Sequence, residues 1–71
     1  MPNSVYKIIE LVGTSSESWE KAAENAVIKA SETLRELRIA EVISMDLTIK
    51  DGKIESYRTK LKVSFKFEGH H

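Results

Sequence analysis

Residues 10–20 pass directly from a strand-like pattern into a helical one, and this junction strongly constrains how the chain can fold. Residues 4–12 alternate and are rich in valine, isoleucine and tyrosine, which predicts a strand. Gly13 is expected to break that strand. Thr14 stands three residues before Glu17, the spacing of a capping box in which a hydroxyl and a carboxylate satisfy backbone N–H groups. The two serines after Thr14 are also competent caps, so the helix is expected to begin in this segment.

The segment after this junction is predicted to be one helix that continues to about Leu37. Its apolar residues recur at steps of three and four and form one stripe, whereas the opposite side is charged. The middle of the stripe is alanine, so its packing partner must approach closely, which a curved sheet does better than a second bulky helix. The stripe consists of Trp19, Ala22, Ala23, Ala26, Val27, Ala30, Leu34 and Leu37.

Two long strands, over 38–50 and 53–67, are predicted after the helix. Asp51 and Gly52 between them are a strong hairpin signal and predict a type I′ turn. The last strand alternates cleanly between apolar and polar positions, and the predicted element order is β-α-β-β. The second strand carries an apolar set that is expected to alternate with polar positions: Ile39, Ile43, Met45, Leu47 and Ile49.

The chain has 71 residues, which allows one small domain, expected over 1–67. A chain this short buries only about 60% of the surface that its unfolded form exposes. It has no cysteine for disulfides or thiolate zinc sites, so association with further copies of itself is the expected source of extra stability. Residues 68–71, Glu-Gly-His-His, resemble the start of an expression tag, and both histidines are therefore excluded from any metal site.

Charge and hydropathy restrict the possible partners. Eleven basic and eleven acidic side chains give a formal net charge of zero, which argues against a nucleic-acid partner. No apolar run is long enough to span a membrane and no signal-peptide pattern is present, so we expect no membrane partner and a cytoplasmic location. The basic residues of the last strand are expected to be solvated or ion-paired: Arg58, Lys60, Lys62 and Lys66.

The residue types also argue against catalysis. The chain has no cysteine, no histidine outside the tag-like ending and no serine in a nucleophile-elbow setting. We therefore expect no enzyme and assign no catalytic residue. Trp19, in the first helical turn, is expected to anchor the core or an interface rather than to stack on a ligand.

Five short segments match a known family in order and spacing: Val5-Tyr6-Lys7, Val12-Gly13-Thr14-Ser15, Trp19-Glu20-x-Ala22-Ala23, Ala40-Glu41-Val42 and Val63-Ser64-Phe65. Together they make the chain resemble the dodecins over nearly its whole length. The resemblance implies an α+β subunit in which a three-stranded antiparallel sheet wraps around one long helix, and a hollow homododecamer of cubic symmetry. It also implies storage or sequestration of a flavin, riboflavin or FMN, without catalysis.

Three positions that correspond to the family's flavin pocket differ from it in residue type. Ile39 stands where flavin-binding dodecins carry a tryptophan that stacks on the isoalloxazine ring, and Arg58 stands where they carry a glutamine. Met45 is the third pocket position. Aromatic stacking contributes about 0.5–1.5 kcal/mol per pair beyond burial, and an arginine cannot accept hydrogen bonds. Flavin binding is therefore predicted to be weak or lost.

The segment Arg38-Ile39-Ala40 is instead similar to the calcium dodecins. Calcium takes about six to eight oxygen ligands, which is more than one small subunit readily offers. At a symmetry axis of the assembly, however, two or three copies of the same carboxylate come together. Asp46 is the first candidate metal ligand and Glu41 is the second. The alternative for Asp46 is an ion pair with a lysine of the last strand. A purely structural assembly with an incidental interior is a third hypothesis.

Overall fold

The computed structural model describes residues 4–66 and confirms the β-α-β-β order. Strand β1 spans Tyr6–Ser15, helix α1 spans Trp19–Ser31, β2 spans Leu37–Lys50 and β3 spans Lys53–Lys66. The strands form one antiparallel sheet in the order β1-β3-β2. The α+β subunit with a three-stranded antiparallel sheet packed on one helix is therefore confirmed.

Two predictions concern residues beyond this range. The strand end at residue 67 and the tag assignment for 68–71 lie outside the described residues, so the limits of the domain stay a prediction. Within residues 4–66, no helix is long and apolar enough to cross a bilayer.

Strand β3 is the centre of the sheet and pairs with a neighbour on each side. Its ladder with β1 is uninterrupted, from Tyr6 opposite Lys66 to Ser15 opposite Tyr57. Its ladder with β2 shifts register three times, at the steps Leu37/Ile39, Val42/Ser44 and Thr48/Ile49. One edge strand is therefore regular and the other is irregular.

Gly13 lies inside β1, opposite Thr59, so the prediction that it breaks the strand is wrong. The reason for a glycine at this position is the close approach of the helix. The Ala22 carbonyl oxygen occupies the space that a Cβ atom on Gly13 would need. Glycine inside a strand often marks such an approach of another backbone segment.

Helix α1 begins at Trp19, and the predicted capping box of Thr14 and Glu17 is also wrong. The cap is Ser18, whose backbone is extended and whose hydroxyl accepts a hydrogen bond from the Lys21 N–H at 3.0 Å. Thr14 still belongs to β1 because the strand continues past Gly13. A serine directly before the first apolar residue of the stripe was the signal for this cap.

The helix ends at Ser31, well before the predicted end at Leu37. The Leu34 N–H closes the final turn by donating to the Ala30 carbonyl at 2.9 Å. Glu36 then adopts a φ of 60°, a left-handed conformation that a helix does not continue through. Leu37 starts β2 yet packs against the same core, which explains why it continues the helical apolar period.

The alanine stripe forms the contact between helix and sheet, as predicted. Ala22, Ala26 and Ala30 are buried, and beneath them lie Leu61 and Val63 of β3, each only 1% exposed. Alanine side chains are short, so the helix axis lies close to the central strand. This close packing leaves a small core.

The predicted turn between β2 and β3 is confirmed. Asp51 and Gly52 have φ angles of 53° and 75°. Positive φ at both central residues is the requirement of a type I′ hairpin turn.

Candidate functional site

The two faces of the sheet differ in character. One face lies under α1 and carries the buried Leu61 and Val63. The opposite face, here called the outer face, carries the alternate side chains of β3 and their register partners on β1 and β2. Its central row is largely basic, with Arg58, Lys60, Lys62 and Lys66 along β3.

Asp46 of β2 lies directly opposite Arg58 of β3 on the outer face, and the two side chains form a bidentate ion pair. Arg58 Nε donates to Oδ1 at 2.7 Å and Nη2 donates to Oδ2 at 2.9 Å. These hydrogen bonds, opposed by partial desolvation and helped by the guanidinium charge, hold the pKa of Asp46 below its ordinary value. The same hydrogen bonds and the carboxylate charge raise the pKa of Arg58. Asp46 is therefore ionised near neutral pH and engaged by an arginine, not by a lysine.

Trp19 holds the backbone of β2 at Asp46. Its indole Nε1 donates a hydrogen bond to the Asp46 carbonyl at 2.9 Å, and its ring meets the Tyr57 ring edge to face, with centroids 5.2 Å apart. The buried Thr59 hydroxyl donates to the Trp19 carbonyl at 2.9 Å. Trp19 is thus an anchor between helix and sheet. The sequence carries no signal for its bond to Asp46, because the partners are separated by 27 residues.

Glu41, the second candidate metal ligand, lies opposite Lys62 on the same face. Lys62 and Arg58 are four residues apart on β3, so Glu41 and Asp46 are separated by about 13 Å at roughly 3.3 Å per residue. Calcium–oxygen distances are about 2.3–2.6 Å, so one ion cannot bind both carboxylates of a single chain. Residues 4–66 contain no cluster of three or more acidic, histidine or cysteine side chains suited to a metal.

A β-bulge separates the two apolar candidates on β2. Ile39 lies opposite Ser64 on the outer face, whereas Met45 lies opposite Thr59 on the helix side. In a regular strand, residues 39 and 45 would share one face. The extra residue at the Val42/Ser44 register shift reverses the alternation. The prediction that the apolar set of this strand alternates regularly with polar positions is therefore wrong for Ile39.

Ile39 and Arg58, which the resemblance assigns to one flavin pocket, are far apart in a single chain. Ser64, the register partner of Ile39, is six residues from Arg58 on β3, which corresponds to about 20 Å. Ile39 is 67% exposed and free to contact a ligand or another copy. A ligand that contacts both positions must therefore bind between copies of the chain.

Comparison with known sequences identifies relatives of this subunit. Residues 5–68 match the sequence profile of the family described as Dodecin. The chain is 46% identical over 63 residues to the calcium dodecin of Mycobacterium tuberculosis, with 89% of each chain covered. It is 42% identical over 64 residues to the dodecin of Thermus thermophilus, with 90% of this chain and 93% of the relative covered.

Solved structures share the fold. The dodecin from Streptomyces coelicolor aligns with a TM-score of 0.93 at 38% identity, covering 99% of this chain and 100% of that one. The M. tuberculosis calcium dodecin, described as a calcium-chelating antigen with a novel calcium-binding site, aligns with a TM-score of 0.83 at 46% identity, covering 96% and 97%. The chain belongs to the dodecin family.

Proposed function

We propose that this chain assembles into a hollow homododecamer that binds and stores a small ligand without catalysis. Family membership supports the proposal, and the observation that carries it is the imbalance between buried and exposed apolar side chains. Among residues 4–66 the buried hydrophobic core comprises five residues, three of them alanine. Eleven large hydrophobic side chains are exposed by 41% or more: Val5, Tyr6, Ile8, Val12, Ile28, Ile39, Val42, Ile43, Met45, Ile49 and Ile54. Association of copies would cover this surface.

The assembly is tested by size-exclusion chromatography with light scattering. A particle of twelve chains is expected, and a monomer would contradict the proposal. The balanced charge is consistent with self-association rather than nucleic-acid binding, and we place the protein in the cytoplasm.

Flavin, the default ligand of the family, is expected to bind weakly or not at all. Ile39 offers no aromatic face for stacking, and two of the Arg58 donors are engaged by Asp46. Titration of riboflavin or FMN with the assembled protein, followed by fluorescence quenching, measures this directly. Quenching with micromolar or tighter affinity would contradict the expectation.

Calcium is the second candidate ligand, favoured by the 46% identity to a calcium dodecin. Asp46 and Glu41 are the residues that would hold it, and hard carboxylate oxygens fit this ion. Because one chain keeps these carboxylates apart, the ion would be held where copies meet. Calorimetric titration of chelator-treated protein is expected to show saturable heat that Asp46→Ala abolishes. Absence of heat would remove this candidate.

A purely structural assembly is the remaining alternative. A ligand that binds only the folded state raises the thermal midpoint. If the assembly stores no ligand, neither flavin nor calcium is expected to raise its thermal midpoint.

A further inference from the structure

Asp46 lies in a short regular stretch of an otherwise irregular strand. Two of the register shifts between β2 and β3 flank it, and only residues 44–48 pair regularly between those two shifts, with Asp46 in the middle. β2 is also an edge strand of the three-stranded sheet, so β3 holds it from one side. A cation ligand in such a segment needs a further contact that fixes its backbone.

Trp19 supplies this contact from the helix. Its indole Nε1 donates a hydrogen bond to the Asp46 carbonyl oxygen at 2.9 Å. Among residues 4–66, this is the only hydrogen bond that joins a residue of α1 to a residue of β2. A carbonyl oxygen has two lone pairs, so it can accept the indole bond in addition to a bond of the sheet ladder.

The position of Trp19 is itself fixed by β3. The Tyr57 ring meets the indole edge to face at an interplanar angle of 81°. The Thr59 hydroxyl, which is buried, donates to the Trp19 carbonyl at 2.9 Å. Tyr57 and Thr59 are the neighbours of Arg58 in the chain. Trp19 therefore contacts β3 on both sides of Arg58 and reaches across to the residue that Arg58 binds.

Arg58 and Trp19 restrain Asp46 at different atoms. Arg58 donates two hydrogen bonds to the carboxylate, whereas Trp19 donates to the backbone carbonyl. A cation at the carboxylate competes with Arg58, because both positive charges need the same oxygens. The indole bond leaves those oxygens free. Trp19 can therefore hold Asp46 in place while an ion is bound.

We infer that Trp19 is a positioning residue for calcium at Asp46, because its indole hydrogen bond fixes the β2 backbone and so preorganises the carboxylate on the outer face. The inference rests on the proposed calcium binding and deepens it. Trp19 does not touch the ion and acts through the backbone of Asp46. Groups that orient a metal ligand raise metal affinity, since a ligand that is already ordered loses less conformational freedom on binding.

The coupling between Trp19 and calcium is reciprocal. If the indole bond favours calcium binding, bound calcium strengthens the indole bond by the same factor. Trp19 is the only tryptophan of the chain, so its fluorescence reports this change without a label. We expect a calcium-dependent change in indole emission whose midpoint coincides with that of the calorimetric titration. Constant emission throughout a saturable titration would contradict the coupling.

Removal of the indole N–H alone tests the positioning role. Growth of a tryptophan auxotroph on β-(3-benzothienyl)alanine replaces the N–H by sulfur at this one site and keeps the shape of the ring. Loss of the hydrogen bond is expected to weaken calcium binding to the chelator-treated assembly by about two- to tenfold. Hydrogen exchange of residues 44–48 without calcium, followed by mass spectrometry, should rise by about the same two- to tenfold.

Asn25→Ala is the matched control. Asn25 makes the same kind of bond from the same helix to the other edge strand, donating to the Thr14 carbonyl at 3.0 Å. Its removal should leave both the calcium affinity and the exchange of residues 44–48 unchanged. Trp19→Phe, which also lacks the donor, repeats the test if the analogue does not fold, and it should change both measurements in the same direction.

The outcomes separate this inference from the proposed function. Saturable calcium heat in the parent chain, with unchanged affinity in the benzothienyl protein, overturns the positioning role alone. Equal loss of affinity in the benzothienyl protein and in Asn25→Ala also overturns it, because Trp19 would then act only through general stability. Absence of calcium heat in the parent chain overturns calcium binding and this role together. Weaker binding and faster exchange at 44–48, confined to the variants of Trp19, is the result expected.

Discussion

The carbonyl oxygen of Ala22 in α1 fills the position that a Cβ atom on Gly13 of β1 would occupy. Gly13→Ala must therefore push the helix away from the strand. Overpacking of this kind typically costs about 1–3 kcal/mol, and a clash with backbone belongs at the upper end. We expect denaturant unfolding, at fixed protein concentration, to show a loss of about 3 kcal/mol.

Gly52→Ala is the control for this substitution. Gly52 has open space around it, and its positive φ of 75° is the only obstacle to a side chain. Its replacement is expected to cost about 1–2 kcal/mol from the left-handed backbone. A loss for Gly13→Ala no larger than that for Gly52→Ala would contradict the close approach.

The Asp46–Arg58 pair predicts a dependence of stability on acidity. The pKa of Asp46 is lowered in the folded state from an ordinary value of 3.8. The stabilisation that ionised Asp46 gives to the folded state is therefore fully present above that value and is lost as pH falls through the lower folded-state pKa. Carboxyl NMR titration is expected to place the Asp46 midpoint below 3.8 and to return it toward that value in Arg58→Gln. A midpoint at or above 3.8 in the parent chain would be inconsistent with the pair.

Arg58 is predicted to compete with calcium for Asp46. Its guanidinium already donates two hydrogen bonds to the carboxylate, and its charge repels a cation. Arg58→Gln is expected to tighten calcium binding by roughly three- to tenfold, because it removes one positive charge at short range from the carboxylate. Calorimetry measures the change. Lys60→Gln is the control, because Lys60 lies on the same face and pairs with Glu10 instead. Equal effects of the two substitutions would argue against competition at Asp46.

Restoring an aromatic side chain at residue 39 is predicted to restore flavin binding in part. Ile39→Trp gives the ring a stacking surface worth about 0.5–1.5 kcal/mol per aromatic pair, and a tenfold gain in riboflavin affinity corresponds to about 1.4 kcal/mol. Fluorescence quenching compares this variant with Ile49→Trp, whose parent residue is equally exposed on the same strand, at 68% against 67%. Equal quenching by both variants would show non-specific stacking.

Features with a local cause could be predicted from the sequence. The alanine stripe, the Asp51–Gly52 turn and the order of elements depend on periodicity or on residues adjacent in the chain, and the structure confirms them. The helix end could not be located this way. Leu37 belongs to β2, yet it packs against the same core as the helix and therefore continues the apolar period of the helix.

Features that depend on tertiary contacts could not be predicted. A glycine is required at position 13 because the backbone of α1, the next element in the chain, approaches it closely. The facing of Asp46 and Arg58 depends on the register shift at Thr48/Ile49, between the turn and the pair, where β3 carries one extra residue. A shift of one residue moves every later side chain to the other face of the sheet. The sequence supplies the charges of that pair but not its register.

The register of the sheet also bears on the order of folding. The turn brings Lys50 opposite Lys53, whereas Tyr6 must find Lys66 across almost the whole chain. Hairpins form in about 1–10 μs, and closure of long loops loses entropy before contacts compensate for it. We therefore expect the β2–β3 hairpin to form early and β1 to add late. A newly made chain would expose one edge of β3 until β1 arrives, so the central strand of the finished sheet is an edge strand during folding.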